Sequence, residues 1–187
     1  MSKFFNCKTG GVFIDIGAFD GYQLSSTASL EKYLGWSGIC IDANPRNFEN
    51  RTCTVVQAVL SDKDDEHVMF RFDHPHDIGQ GGIGSTSSII QMMGDSSEDF
   101  TVRDVTTVSL RTIFHDTSSA IVDLVSVDVE GHEVKVLQGF PFEKICVRLF
   151  LIENNSEAEL KQLMYSHGYF DIGTVGLDLI FVPVAGC

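Results

Sequence analysis

The chain predicts an α/β domain built on a mostly parallel, twisted sheet with helices on both faces and a C-terminal antiparallel hairpin. Three observations carry that expectation. Short apolar, β-branched runs end in Gly or Asp, as buried strands do at a tight turn. These runs alternate with segments of helical periodicity, the pattern that yields parallel strands joined by crossovers. The last two strand-like segments, 169–172 and 177–184, are too close for a crossover and must pair antiparallel.

In chain order, Val12 to Ile16 reads as a buried strand that turns at Gly17. Ser25, Ser26 and Thr27 offer N-caps for a helix with a face of Leu24, Leu30, Tyr33 and Leu34, stopped at Gly35. Gly38 to Asp42 is a second strand, Pro45 suits the first turn of a short helix, and Val55 to Leu60 is a third strand. His67 to Phe72 alternates like an edge strand, and 73–99 is a long loop rich in Gly, Ser, His and Asp. Val102 to Leu110 is a further strand leading into a short helix through His115. Ile121 to Asp128 has the composition of a central parallel strand. A helix over Glu133 to Gln138 stops at Gly139, Cys146 to Glu153 is the next strand, and a helix over Glu157 to His167 ends at Gly168.

The chain has 187 residues, enough for one domain, 1–187, with a loop-rich insertion at about 66–105 and no internal repeat. With 43% hydrophobic and 21% charged residues it reads as globular. A net charge of −13 with scattered Lys and Arg argues against nucleic acid as a partner. No apolar stretch approaches the roughly 20 residues that span a bilayer, and residues 1–11 lack a signal core, so the expectation is a soluble cytoplasmic protein without a membrane partner. The five cysteines are odd in number and none forms Cys-x-x-Cys, which argues against a disulfide framework and a zinc site and leaves Cys40 and Cys146 as buried thiols.

The first candidate site is Asp15-Ile16-Gly17-Ala18-Phe19-Asp20-Gly21. In doubly wound folds ligands bind beyond the carboxyl ends of the strands, and Gly17 and Gly21 let the backbone approach one closely. The spacing is not the diphosphate-binding fingerprint, and acidic Asp15 and Asp20 suit a cationic ligand better than an anionic one. Asp42 ends the second strand 21 residues after Gly21, where a carboxylate can accept ribose hydroxyls; its plainer role is a turn cap. Gly79 to Gly84 formally matches the dinucleotide fingerprint, but no strand precedes it, so it reads as a flexible loop.

The densest cluster is Ser126 to Glu133. Asp128 closes a core strand, and Glu130, His132 and Glu133 follow on the loop and first helical turn. Capping accounts for acidic residues there, but not for Asp128 at the buried end of an apolar strand. Asp128, His132 and Glu130 are the candidate proton-handling residues. The carboxylates and imidazole have the donors for a divalent ion, yet no metal is assigned. Glu153-Asn154-Asn155 ends the fifth strand on the same sheet edge, while His74, His76 and His115 read as solvated loop residues.

These segments resemble the FkbM-type methyltransferase family. The resemblance runs through 15–21, Leu34 to Pro45, Asn50 to Cys53, Ser126 to Glu133 with Val136 to Gly139, and Ile152 to Asn154. The Asp-x-Glu-Gly block at 128–131 is its most specific part. It implies a Rossmann-like class I methyltransferase fold and S-adenosylmethionine as cofactor. It further implies a small-molecule acceptor, commonly a hydroxyl of a glycan or secondary metabolite. By the same resemblance Asp15, Gly17 and Gly21 cradle the amino-acid end and Asp42 the ribose; Ala18, Asp20, Ala43, Asn44 and Asp128 are the further candidate cofactor-binding residues. Many family members have Glu at position 42 and Lys at 126, where this chain has Asp and Ser. A homo-oligomer is compatible with the sequence. A nicotinamide-dependent oxidoreductase and a non-catalytic nucleotide-binding module are the rival expectations, separable by comparing S-adenosylhomocysteine with NAD in thermal shift.

Overall fold

A computed structural model describes residues 4–22, 25–73, 88–89 and 100–187. Leu24, the 79–84 glycine cluster, His74 and His76 lie outside the described residues. The strands are β1 (Val12–Ile16), β2 (Ser37–Asp42), β3 (Thr54–Gln57), β4 (Val59–Leu60), β5 (His67–Asp73), β6 (Ser88–Ile89), β7 (Phe100–Val108), β8 (Ala120–Val122), β9 (Leu124–Val127), β10 (Ile145–Val147), β11 (Phe150–Glu153), β12 (Tyr169–Val175) and β13 (Asp178–Pro183). The helices are α1 (Ala28–Leu34), α2 (Leu110–Ile113), α3 (Glu133–Gln138) and α4 (Glu157–Ser166).

The principal sheet has seven strands in the order β12-β13-β11-β9-β1-β2-β3. β1 is central and parallel to both β2 and β9, β11 is parallel to β9, and β13 runs antiparallel to β11 and β12. The predicted parallel sheet with a closing hairpin is thus present. Period-two alternation assigns the faces. Ile14, Ile16, Val125, Val127, Phe150 and Ile152 share one buried cluster with α2, α3 and α4. Phe13, Leu124 and Leu151 join Leu30 of α1 and Trp36 in another. Helices therefore cover both faces, and Asp15, two residues after Phe13, points to the α1 side.

Several predicted strands divide. Residues 55–60 supply β3 to the main sheet and β4 to a four-stranded sheet ordered β4-β7-β5-β6, whose β5 and β7 fall on the predicted strands 67–72 and 102–110. Residues 121–128 split at Asp123, whose carboxylate accepts the Val12 N–H at 2.9 Å and pairs with Lys8 and Arg148. β8 leaves the main sheet there and pairs with β10. The region after Pro45 forms only a 3-10 turn at Phe48–Asn50, and Tyr33 is exposed on α1, not part of its buried face.

The cysteine expectation is corrected by the fold. Cys40 bonds to Cys53 and Cys146 to Cys187, with Cα–Cα distances of 6.1 and 5.6 Å, leaving Cys7 free and exposed. Spacing could not show this, because pairing is decided by which Cα atoms the fold brings together. β2 and β3 are parallel neighbours with Cys40 beside Val55, so Cys53 enters β3 next to Cys40.

Candidate functional site

At the carboxyl ends of β1, β2 and β9 the chain leaves a cavity. Crevices form at this position in open α/β sheets because crossovers depart to different faces. Asp15, Gly17 and Ala18 line it from β1 and its loop, Asp42, Ala43 and Asn44 from β2, and Asp128, Glu130 and His132 from the turn after β9. Asp20 and Gly21 do not line it. The Asp20 carboxylate instead accepts the Tyr22 N–H at 2.9 Å, and the Gly21 N–H donates to the Ala18 carbonyl.

Two devices shape the first loop. Gly17 has φ +78° and lies against the turn after β9, and its N–H and that of Ala18 donate to the Ile41 carbonyl. Asp42 ties the same loop to the second: one carboxylate oxygen accepts the Phe19 N–H at 2.9 Å, the other the Asn44 N–H at 2.6 Å. Burial pushes the Asp42 carboxyl up from its ordinary value, opposed by these two hydrogen bonds. Capping and ligand contact are compatible, because each carboxylate oxygen has a second lone pair.

Asp15 is buried against α1 and accepts from Thr27 Oγ1 at 2.5 Å and Ser25 Oγ at 3.0 Å. Burial raises its carboxyl, while the two hydroxyls and the nearby Arg51 guanidinium pull it down. Arg51, also buried, bonds to Glu31, Thr27, Ser25 and the Gly21 carbonyl.

Glu133 shapes the turn after β9 from below. Its buried carboxylate accepts the N–H groups of Val129 at 3.2 Å and Gly131 at 2.9 Å. Glu130 there has φ +57°, a left-handed conformation uncommon for a side-chain-bearing residue. Asn155 bridges Glu133 and Glu153. Burial, the neighbouring Glu153 and Glu130 charges and a hydrogen bond with Glu153 push the Asp128 carboxyl up to about 8. At neutral pH Asp128 therefore holds a proton that it shares with Glu153. His132 is driven down from 6.5 by burial and by Lys135, so its ring is neutral at pH 7; Nε2 lies 3.2 Å from Ser61 Oγ.

Sequence reading missed Asp178, Arg46, Ser25, Ser26 and the apolar wall of Val59, Leu60 and Phe70, all of which line the cavity. Asp178 stands opposite Glu153 in the β11–β13 register. The predicted hairpin was a signal for it, had its register been known. Among the described residues, no group of three or more His, Cys, Asp or Glu side chains is arranged to hold a metal ion.

A crevice lined by carboxylates at the ends of three parallel strands, beside a C-terminal antiparallel hairpin, is the ligand-binding position of a doubly wound α/β protein. The family model described as Methyltransferase FkbM domain matches residues 15–170, and the chain belongs to that family. It is accordingly a methyltransferase of Rossmann-like fold that uses S-adenosylmethionine, which displaces the nicotinamide and non-catalytic readings. No curated protein and no solved structure matches the chain. Among the described residues no helix is long and apolar enough to cross a membrane.

Proposed function

We propose that S-adenosylmethionine lies across the ends of β1 and β2 and that an acceptor hydroxyl of a glycan or small metabolite enters from the turn after β9. The observation that carries this is charge. Asp15, Asp42, Glu130 and Asp178 converge on one cavity with the Asp128–Glu153 pair, which shares one proton, and the cofactor is a sulfonium and ammonium cation. In this reading Asp15, Gly17 and Ala18 face the amino-acid end. Asp42, Ala43 and Asn44 take the ribose, and the Ala58, Val59 and Leu60 wall takes the apolar base. Asp20 and Gly21 contribute by shaping the loop.

The bound cofactor supplies an electrophilic methyl group. The protein has to align an acceptor oxygen with it, exclude water and remove one proton. His132, neutral at pH 7, is the base that takes the acceptor proton. Asp128, its one acid proton shared with Glu153, helps position the acceptor from the cavity wall, and Glu130 borders the same space. The whole chain, 1–187, acts as one domain in this reading. The two disulfides favour an oxidising compartment over the cytoplasm.

Calorimetric titration with S-adenosylhomocysteine tests the cofactor placement. Saturable binding that Asp42→Ala weakens at least tenfold is expected, about 1.4 kcal/mol or more. Undiminished affinity in that variant would remove Asp42 from the site.

A further inference from the structure

Arg51 is buried at the base of the first loop although its charge is costly to desolvate. Its Nε donates to Glu31 at 3.1 Å, and Glu31 also accepts the Thr52 N–H at 2.5 Å. The remaining donors go to the Gly21 carbonyl, to Thr27 Oγ1 at 2.9 Å, to Cys40 Sγ at 3.5 Å and to Ser25 Oγ at 3.3 Å, an oxygen that also accepts the Ala28 N–H at 3.1 Å and the Thr27 N–H at 3.3 Å. Each hydroxyl has a single proton. Because both oxygens accept from the guanidinium, both protons are free to point to Asp15 Oδ2, at 2.5 and 3.0 Å. The result is a directed relay from Arg51 through two hydroxyls to a carboxylate on the cavity wall. The Cys40–Cys53 disulfide anchors the segment that carries Arg51 to β2.

We propose that Arg51 is a positioning residue of the cofactor site: it orients the Ser25 and Thr27 hydroxyls toward Asp15 and so keeps that carboxylate an anion, ready for the ammonium of the cofactor. The inference rests on the cofactor reading of the cavity. The charged groups around Asp15 are Arg51 from the segment before β3, Glu31 from α1 and Asp42 from β2. Its neighbours in the sheet, Cys40 and Ser126, carry no charge. The two acidic neighbours oppose ionisation of Asp15, and Arg51 is the cation among these groups that supports it.

The test is the pH dependence of S-adenosylhomocysteine affinity, by calorimetry between about pH 5.5 and pH 7.5, a window in which the ligand stays zwitterionic. The parent Kd across this window is the reference profile. In Arg51→Met, Asp15 gains a proton as pH falls, and affinity should drop at least about tenfold more across the window than in the parent. Referring each variant to the parent cancels the titrations of His132 and Asp128. Should Arg51→Met not fold, Arg51→Met with Glu31→Gln removes both buried charges and is compared with Glu31→Gln alone, because Glu31 itself opposes ionisation of Asp15. Asp15→Asn should bind weakly at every pH, and adding Arg51→Met to it should change nothing further. A loss of affinity in Arg51→Met that is equal at all pH values would make Arg51 purely structural and overturn the proposal. Absence of binding by the parent protein would instead overturn the cofactor reading itself.

Discussion

A β-carbon on Gly17 would stand 1.6 Å from the carbonyl oxygen of Asp128. The first loop and the turn after β9 therefore meet backbone to backbone, and the two halves of the cavity are one rigid joint. Gly17→Ala must push these segments apart as well as strain a φ of +78°. It should cost upwards of about 3 kcal/mol and abolish S-adenosylhomocysteine binding. Gly176→Ala is the control, with φ +63° but nothing within 4 Å of its β-carbon, and should cost only about 1 kcal/mol. Denaturant melts of the two variants compare them directly; equal losses would refute the joint.

The raised carboxyls set the pH profile of stability. Asp15, Asp42, Asp128, Glu133 and Asp178 all sit above their ordinary values because of burial. At these five groups the folded protein binds more protons than the unfolded chain, whereas Asp62, Asp64, Asp123, Glu143, Glu157 and Asp171, held low by their partners, act in the opposite sense. The contribution of the five raised groups is complete below about pH 4 and is lost as pH rises, for Asp128 through about 8. Asp128→Asn removes the ionisation near pH 8. Its melting temperature should exceed that of the parent near pH 8.5, by the equivalent of about 1–3 kcal/mol, and approach it near pH 5. A constant offset at all pH values would contradict the shared-proton picture.

The same groups predict the rate profile. With His132 as base, kcat should rise with pH through a value below the usual histidine range and be level at neutrality. It should fall again near pH 8, where Asp128 ionises and its proton-sharing pair with Glu153 at the acceptor side is lost. His132→Gln should lower kcat by about 10²-fold or more with little change in cofactor affinity, measured on any acceptor that supports turnover. A folded His132→Gln enzyme with full kcat would remove the residue from the chemistry.

Thiol reactivity reports the disulfides. Under native oxidised conditions alkylation and mass spectrometry should find a single reactive thiol, Cys7. Loop-closure entropy puts about 3 kcal/mol on Cys40–Cys53 and about 4 kcal/mol on Cys146–Cys187, so reduction should lower the denaturant midpoint markedly. Five reactive thiols in the purified protein would exclude both bonds.

Much of the architecture was legible in the chain because it is written in local terms. Apolar runs ending in Gly17, Asp42 and Asp128, helical stretches stopped at Gly35, Gly139 and Gly168, and a short link before the last strand are short-range facts, and each restricts the backbone where it stands. Residues at the strand ends of a parallel sheet converge by topology, which is why Asp15, Asp42, Asp128 and His132 are candidates on the sequence alone.

What remained invisible depends on atoms distant along the chain. The Cys40–Cys53 and Cys146–Cys187 bonds, the Arg51 relay, the Glu153–Asp178 register and the exclusion of Asp20 and Gly21 from the cavity wall are set by which surfaces pack. Packing is a sum over the whole fold, so spacing does not encode it. Local periodicity chose the elements and their order. Long-range contact chose the partners of the buried charges, and with them the protonation states on which the proposed chemistry runs.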